Sequence, residues 1–155
     1  EVIDATFNLR HKNAIKNWIK EILQQKNHEV GDVNYLFSND QYVLEVNRQY
    51  LGHDFYTDII TFDTSDYGAD TGLRPSGDRR ISADIVISLD TVRSNAVTYS
   101  ESSFSQELYR VMIHGILHLV GFDDQTPEQA EQMRSAENQA LALLNSFQIP
   151  DDQIY

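Results

Sequence analysis

The stretch from Phe104 to Asp124 constrains the fold more than any other part of the sequence. Apolar residues recur in it at helical spacing, which predicts a helix over residues 104–120. His114 and His118 stand four residues apart in this helix, so their side chains lie on one face, about one turn apart. The residues of this helix that we predict to be buried, with no further role, are Leu108, Val111, Met112, Leu117 and Leu119.

The residues that follow this helix predict a metal site. Gly121 tolerates the left-handed conformation that ends a helix, and a turn there can bring Asp124 to the two imidazoles. Asp123 could compete as a ligand, but the register favours Asp124. Three protein ligands leave a fourth position for water, which is the pattern of catalytic rather than structural zinc. We therefore predict that His114, His118 and Asp124 bind one divalent ion, with Zn²⁺ as the first choice.

The histidine pair has two other interpretations. Histidines four apart also occur as ordinary surface or core residues, although here a glycine and an acid follow in register. The spacing is also close to that of metzincin proteases, which need a Glu directly after the first His. Gly115 occupies that position, so a metalloprotease is disfavoured. A glycine in mid-helix costs about 1 kcal/mol relative to alanine, so Gly115 predicts close packing or a site role.

The remaining periodicities predict one α/β (α+β) domain over residues 1–155, with a small four-stranded mixed sheet, about five helices and a zincin-like metal helix. Strands are expected at 2–8, 33–37, 59–62 and 81–88. Helices are expected at 10–27, 89–99, 104–120 and 127–147. A further short helix is expected to begin at a cap formed by Asn39 or Asp40 and to end at about Tyr50. We expect a turn at Gly31 and a long loop over 63–80.

Composition bounds the function and partly argues against a nucleic-acid partner. The 155 residues include no cysteine, which excludes disulfides and thiolate zinc sites. No apolar run of about 18 residues and no secretory pattern occur, so we expect a cytoplasmic protein without a membrane partner. The net charge of -12 opposes phosphate binding. Lys12, Lys16 and Lys20 form a line that we interpret as a solvated face, with a phosphate-binding edge as the alternative.

Three ordered motifs resemble those of the YbeY family of bacterial ribosome-associated endoribonucleases. The run His114-Gly-Ile-Leu-His118-Leu-Val-Gly121-Phe-Asp-Asp124 is similar to the usual His-Gly-x-Leu-His-Leu-x-Gly-Tyr-Asp-His. Thr57-Asp-Ile-Ile-Thr-Phe62 resembles its Thr-Asp-Val-Leu-Ser-Phe, and Asp84-Ile-Val-Ile-Ser88 its Asp-Ile-x-Ile-Ser. The resemblance implies helices around a four-stranded sheet, and one zinc at the three motif positions. It also implies maturation of ribosomal RNA, including the 3′ end of the small-subunit (16S) RNA, and ribosome quality control.

Two departures from the family pattern affect the site. The third ligand is usually His; Asp124 adds a negative charge, which favours oxygen-tolerant ions such as Mn²⁺. Leu51 stands where the family often has an Arg after the position of Tyr50. Arg48, His53 and Arg110 are possible substitutes as a phosphate anchor, but each is equally an ordinary surface or packing residue.

Other polar and aromatic residues are weaker candidates. Asp58 and Asp84 either orient the ligand imidazoles or cap strand ends. Arg48 and Asp58 are the candidate catalytic residues beyond the metal ligands, and the sequence does not identify a general base. The aromatic residues that either stack on bases or belong to the core, the latter favoured for Phe62, are Tyr50, Phe55, Tyr56 and Phe62.

Two hypotheses from different classes follow. The first is an endoribonuclease specific for single-stranded RNA, acting on ribosomal RNA precursors, with the small ribosomal subunit or its proteins as partners and DNA not a substrate. The second is a non-catalytic ribosome assembly factor whose metal fixes the turn after Gly121. Its acidic surface, which would dock a basic ribosomal protein, would comprise Glu128, Glu131, Glu137, Asp151 and Asp152. An accessible cleft at the fourth metal position favours the first hypothesis.

Overall fold

A computed structural model describes residues 9–65, 80–98 and 103–149 and has an α+β architecture. Its helices are α1 (Lys12–Gln25), α2 (Asp40–Val46), α3 (Leu89–Thr98), α4 (Phe104–Leu119) and α5 (Pro127–Ala142). The strands are β1 (Glu29–Ser38), β2 (Ile59–Asp63) and β3 (Arg80–Ser88). A π-helical turn (Asn47–Leu51) follows α2, and a 3₁₀ turn (Leu144–Phe147) follows α5.

The described strands form a mixed sheet in the order β1-β3-β2. β1 runs parallel to β3, and β2 runs antiparallel to it, with Ile59 opposite Ile87 and Asp63 opposite Ala83. The mixed sheet and the five helices are confirmed within the described residues. The predicted strand at 2–8 and nearly all of the predicted loop at 63–80 lie outside the described residues.

The predicted turn at Gly31 is wrong, because β1 begins at Glu29 and runs through this residue. The pairing with β3 shifts register between Val30 and Val33, so the glycine lies in a bulge rather than a turn. A Cβ at this position would lie 2.3 Å from the Ser82 hydroxyl oxygen, so only a glycine allows the two strands this close.

Helix ends follow local capping chemistry. The Asn39 side chain accepts a hydrogen bond from the Tyr42 N–H at 2.9 Å, which confirms the cap predicted there. The α-helix ends sooner than expected, at Val46, and continues as a π-helical turn to Leu51 before Gly52 (φ 67°) ends it. Thr126 and Gln129 form a reciprocal capping box at the start of α5.

The main core lies between the sheet and the helices α1, α4 and α5. Trp18 is fully buried, and its indole N–H donates to the Ala140 carbonyl at 2.8 Å, which ties α1 to the end of α5. The predicted core residues of α4 are buried, except that Leu119 is half-buried against the same core. Within the described residues, no helix has both the length and the apolarity needed to cross a bilayer.

Gly115 allows α4 to lie close to β2. A Cβ added to it would be 2.9 Å from the Thr61 hydroxyl oxygen and 3.0 Å from Cδ1 of Ile59. These distances are shorter than ordinary van der Waals contacts, so the glycine has the packing role predicted for it. Because His114 precedes Gly115 directly, this close contact also sets the distance between the histidine helix and the segment that leads into β2.

Candidate metal centre

The two histidines of α4 point their Nε2 atoms at a common position. The Nε2 atoms of His114 and His118 lie 3.0 Å apart, and the rings are nearly perpendicular at 82°. Both rings are half-buried, so they are held by the helix but reach solvent. Spacing by one helical turn explains this convergence.

The turn at Gly121 returns the chain toward these rings. Gly121 has φ 104°, and the next N–H, that of Phe122, donates to the Leu117 carbonyl at 3.0 Å. Asp124 then places Oδ2 at 3.5 Å from His114 Nε2 and 3.9 Å from His118 Nε2. The Asp123 carboxylate instead accepts a hydrogen bond from the Asp124 N–H at 2.8 Å, and so supports the turn.

The three atoms fit one small divalent ion. Tetrahedral zinc, with bonds of about 2.0–2.2 Å, separates its ligand atoms by about 3.2–3.6 Å. Of the three separations in the structure, 3.5 Å lies within this range, 3.0 Å just below it and 3.9 Å just above it. The sequence-predicted residues His114, His118 and Asp124 are therefore together in the fold and can hold such an ion, with nitrogen and oxygen donors that suit zinc and also harder, oxygen-tolerant metals such as Mn²⁺.

An open cleft of about 600 Å³ surrounds this cluster. One wall comes from the chain that enters and forms β2, and the other from α4 and the turn after it. The lining residues of the first wall are Thr57, Asp58, Ile59, Thr61 and Asp63. Those of the second are His114, His118, Leu119, Asp123, Asp124 and Gln125. Solvent can therefore reach the position between the three candidate ligands.

Glu137 of α5 orients the His114 ring, a role that the sequence did not predict. His114 Nδ1 donates to Glu137 Oε2 at 2.6 Å, which leaves the Nε2 lone pair free for a metal. The other oxygen of Glu137 accepts from Arg110 Nη1 at 2.9 Å, and Arg110 Nη2 donates to Asn138 at 2.8 Å. Glu137 is only 4% exposed, so its predicted place on an acidic docking surface is wrong.

Charge and burial shift the pKa values in this network. Burial alone would lower the pKa of His114, but the hydrogen bond to Glu137 and the charges of Glu137, Asp124 and Asp58 outweigh it and raise the pKa. Burial alone would raise the pKa of Glu137, and hydrogen bonds from His114 and Arg110 lower it instead. Glu137 is thus an ionised acceptor, and a metal at His114 competes with a proton for Nε2.

Of the two aspartates predicted to orient the imidazoles, only Asp58 lines the cleft. Burial raises the pKa of its carboxyl, and the nearby charge of His114 only partly offsets this. The backbone carbonyl of Asp58 accepts from the Ser88 N–H at 2.8 Å, which fixes the segment to β3. Asp84 instead accepts a hydrogen bond from the Asn34 side chain at 3.1 Å, on the side of β3 that pairs with β1.

The residues considered as phosphate anchors have other partners. Arg48 forms an ion pair with Asp54, His53 stacks on Phe55, and Arg110 binds Glu137 as described. None of the three lines the cleft, and the described lining residues include no Lys or Arg. Lys12, Lys16 and Lys20 are exposed and line a different groove, between α1 and β1.

The aromatic candidates divide between surface and core. Tyr50, Phe55 and Tyr56 are exposed, whereas Phe62 is half-buried and packs against the smaller core cluster around Val43 and Ile60. The expectation that Phe62 belongs to the core is therefore confirmed.

Known proteins resemble this chain over most of its length. The family model described as Endoribonuclease YbeY matches residues 3–145. The protein named Endoribonuclease YbeY from Phocaeicola vulgatus is 51% identical to this chain over 134 residues. The protein of the same name from Parabacteroides distasonis is 47% identical over 133 residues. Each alignment covers 86% of this chain, and 88% and 85% of the respective relative.

Among solved structures, the solution structure of TM1509 from Thermotoga maritima matches with a TM-score of 0.56 and 25% identity. This match covers 90% of this chain and 89% of that one. Because the family model and both relatives match most of the sequence, the chain belongs to the YbeY family of endoribonucleases.

Proposed function

We propose that this protein is a zinc-dependent endoribonuclease that cuts single-stranded regions of ribosomal RNA precursors. Its substrates include the 3′ end of the small-subunit RNA, and the same activity serves ribosome quality control in the cytoplasm. The small ribosomal subunit or its proteins are the partners, and DNA is not a substrate. The observation that carries the proposal is the convergence of His114, His118 and Asp124 in an open cleft of a chain whose relatives are named endoribonucleases.

The metal ligands and the residue behind them have separate tasks in this proposal. The two Nε2 atoms and the Asp124 carboxylate hold the ion, while Glu137 fixes the tautomer of His114. When bound, a divalent ion supplies a Lewis acid that offsets the charge developing at a backbone phosphate.

Asp58 is the residue we propose for proton transfer. Its carboxyl lines the same cleft, and burial raises its pKa above the ordinary aspartate value, as suits a group that takes up and releases a proton. Arg48 is the second candidate, and it would have to leave its ion pair with Asp54 to reach a phosphate.

Cleavage of a labelled single-stranded RNA tests the proposal. Wild-type protein stripped of metal should be inactive, and Zn²⁺ should restore the activity. His114→Ala should remain inactive with Zn²⁺, while His11→Ala, a change at an exposed histidine outside the cleft, should behave as wild type. Full activity of the stripped protein, or of His114→Ala, would contradict the proposal.

The alternative is a non-catalytic ribosome assembly factor with a structural metal. The net charge of -12 and the lack of basic residues among the described cleft residues favour it. The openness of the cleft argues against it, since a structural ion is normally enclosed by four protein ligands. A protein that binds ribosomal subunits and metal normally but never cleaves RNA would support the alternative. A metalloprotease stays disfavoured, because Gly115 faces Thr61 and supplies no carboxyl.

A further inference from the structure

We propose that an exposed aromatic surface beside the metal cleft stacks on unpaired bases of the RNA substrate. This surface, which we call the aromatic shelf, comprises Tyr50, His53, Phe55 and Tyr56. The proposal rests on the proposed function and adds a substrate-binding site to it. It assigns the recognition of single-stranded RNA to side chains that are not metal ligands.

The shelf is exposed to an extent that packing does not explain. Of the six large hydrophobic side chains exposed in the described residues, four lie between positions 50 and 56, Leu51 among them. Tyr50, Phe55 and Tyr56 are 65%, 55% and 61% exposed. Grouped apolar side chains on a surface mark a site of interaction more often than scattered ones do.

The backbone beneath the shelf is held in place by a buried side chain. Asn47 is 1% exposed, and its amide donates to the Phe55 carbonyl at 2.9 Å. The Asn47 carbonyl accepts from the His53 N–H at 3.1 Å, and Arg48 pairs with Asp54 across the same loop. The loop is therefore anchored at three points with its rings outside, and a rigid surface loses less entropy on binding.

The rings are arranged so that further rings can be added. His53 and Phe55 are already stacked, with centroids 5.1 Å apart and planes at 20°. Tyr50 meets Phe62 edge-on at 6.1 Å, which steadies the Tyr50 ring and leaves most of it in solvent. A nucleobase placed on Phe55 or Tyr56 would extend this set in the way that bases stack on aromatic residues of single-strand binding proteins.

The shelf is continuous with the cleft along the chain. Tyr56 directly precedes Thr57 and Asp58, both of which line the cleft, and successive Cα atoms are about 3.8 Å apart. A nucleotide stacked on Tyr56 would thus lie beside the chain segment that lines the cleft of the candidate metal ligands. This continuity with the site of an endoribonuclease is the reason to assign RNA, rather than a protein, to the shelf.

Charge supports stacking as the mode of binding. The cleft contributes four aspartates, Asp58, Asp63, Asp123 and Asp124, and no described basic residue, so it offers little attraction for a phosphate backbone. Stacking does not depend on that attraction, and it selects unpaired bases, whose faces are free, over a duplex, whose faces are covered.

The test is the affinity for a fluorescein-labelled oligoribonucleotide without secondary structure, measured with the full chain in EDTA so that no cleavage occurs. Tyr56→Ala and Phe55→Ala should each weaken binding on the order of tenfold. Tyr56→Phe, which keeps the ring, should recover most of the loss. Val97→Ala, at an 80% exposed side chain of α3, is the matched control and should bind as wild type.

An oligonucleotide of the same length with abasic sites separates bases from backbone. It should bind wild type weakly and should bind Tyr56→Ala no worse than wild type. Equal binding of the normal oligonucleotide by wild type, Tyr56→Ala and Phe55→Ala would overturn the proposal that the shelf binds RNA. The lack of any binding by wild type would overturn it as well. Metal-dependent cleavage that persists in that case would leave the proposed function intact. Shelf-dependent binding without cleavage would instead refute the proposed function and support the shelf.

Discussion

His114 Nδ1 and Glu137 Oε2 lie 2.6 Å apart, and this hydrogen bond joins the metal-binding helix to the last helix of the domain. It directs the free Nε2 atom of His114 toward His118 and Asp124. Arg110 holds Glu137 in turn and is itself bound to Asn138, so the orientation of one candidate ligand depends on three further side chains of α4 and α5.

Glu137→Gln should weaken zinc binding about 10- to 100-fold, because the neutral amide is a poorer acceptor for His114 and clashes electrostatically with Arg110. Competition with a chromophoric chelator measures the dissociation constant, and circular dichroism checks that the fold is kept. Glu131→Gln, at an exposed position of the same helix, is the control and should leave the affinity unchanged. Unaltered zinc affinity in Glu137→Gln would show that the hydrogen bond does not prepare the ligand.

Asp58→Asn should stabilise the metal-free protein at neutral pH while it lowers activity. Burial raises the pKa of Asp58, so the folded state holds its proton to higher pH than the unfolded state. Stability is therefore lost as pH rises from the ordinary aspartate pKa of about 3.9 through the folded value, and the full cost remains above it. The asparagine removes this cost, so its melting temperature should exceed that of wild type at pH 7 but not near pH 3.

Glu107→Gln separates this stability effect from function. Glu107 is buried, its pKa is raised mainly by burial, and it does not line the cleft. This variant should share the gain in melting temperature and keep wild-type cleavage. Asp58→Asn, in contrast, should reduce kcat by about 100-fold or more, as loss of a proton-transfer group does. Normal turnover in Asp58→Asn would show that Asp58 does not transfer a proton in the reaction.

Gly115→Ala should destabilise the protein despite the better helix propensity of alanine. Alanine contributes about 1 kcal/mol in a helix interior, whereas overpacking costs about 1–3 kcal/mol. The added Cβ would be 2.9 Å from the Thr61 hydroxyl oxygen, so the net loss should reach up to about 2 kcal/mol in urea unfolding. A second change, Thr61→Ala, should recover part of the loss. A more stable single variant would show that α4 moves away from β2 without cost.

The metal cluster could be predicted from the sequence because all three residues fall within eleven positions of one helix and its terminal turn. The spacing of His114 and His118 fixes their common face, and Gly121 fixes the direction of the turn. Such relationships depend on local geometry, which sequence periodicity describes well.

Glu137 could not be assigned in the same way, because its partner His114 is 23 residues away on another helix. A weaker signal was present, since Met133, Ala136 and Ala140 mark the buried face of α5 and Glu137 lies on it. A carboxylate on a buried face needs a partner. The bulge at Gly31 also escaped prediction, because it depends on the approach of Ser82 from a strand about 50 residues later.

The bound metal per chain, measured by elemental analysis of untagged Asp124→Ala and Asp123→Ala, tests the central claim most directly. The two carboxylates are neighbours, but only that of Asp124 lies near both imidazoles. We predict that wild type and Asp123→Ala carry one divalent ion, and that Asp124→Ala loses most of it together with RNA cleavage. A full metal complement and normal cleavage in Asp124→Ala would contradict the assignment of Asp124 as a metal ligand.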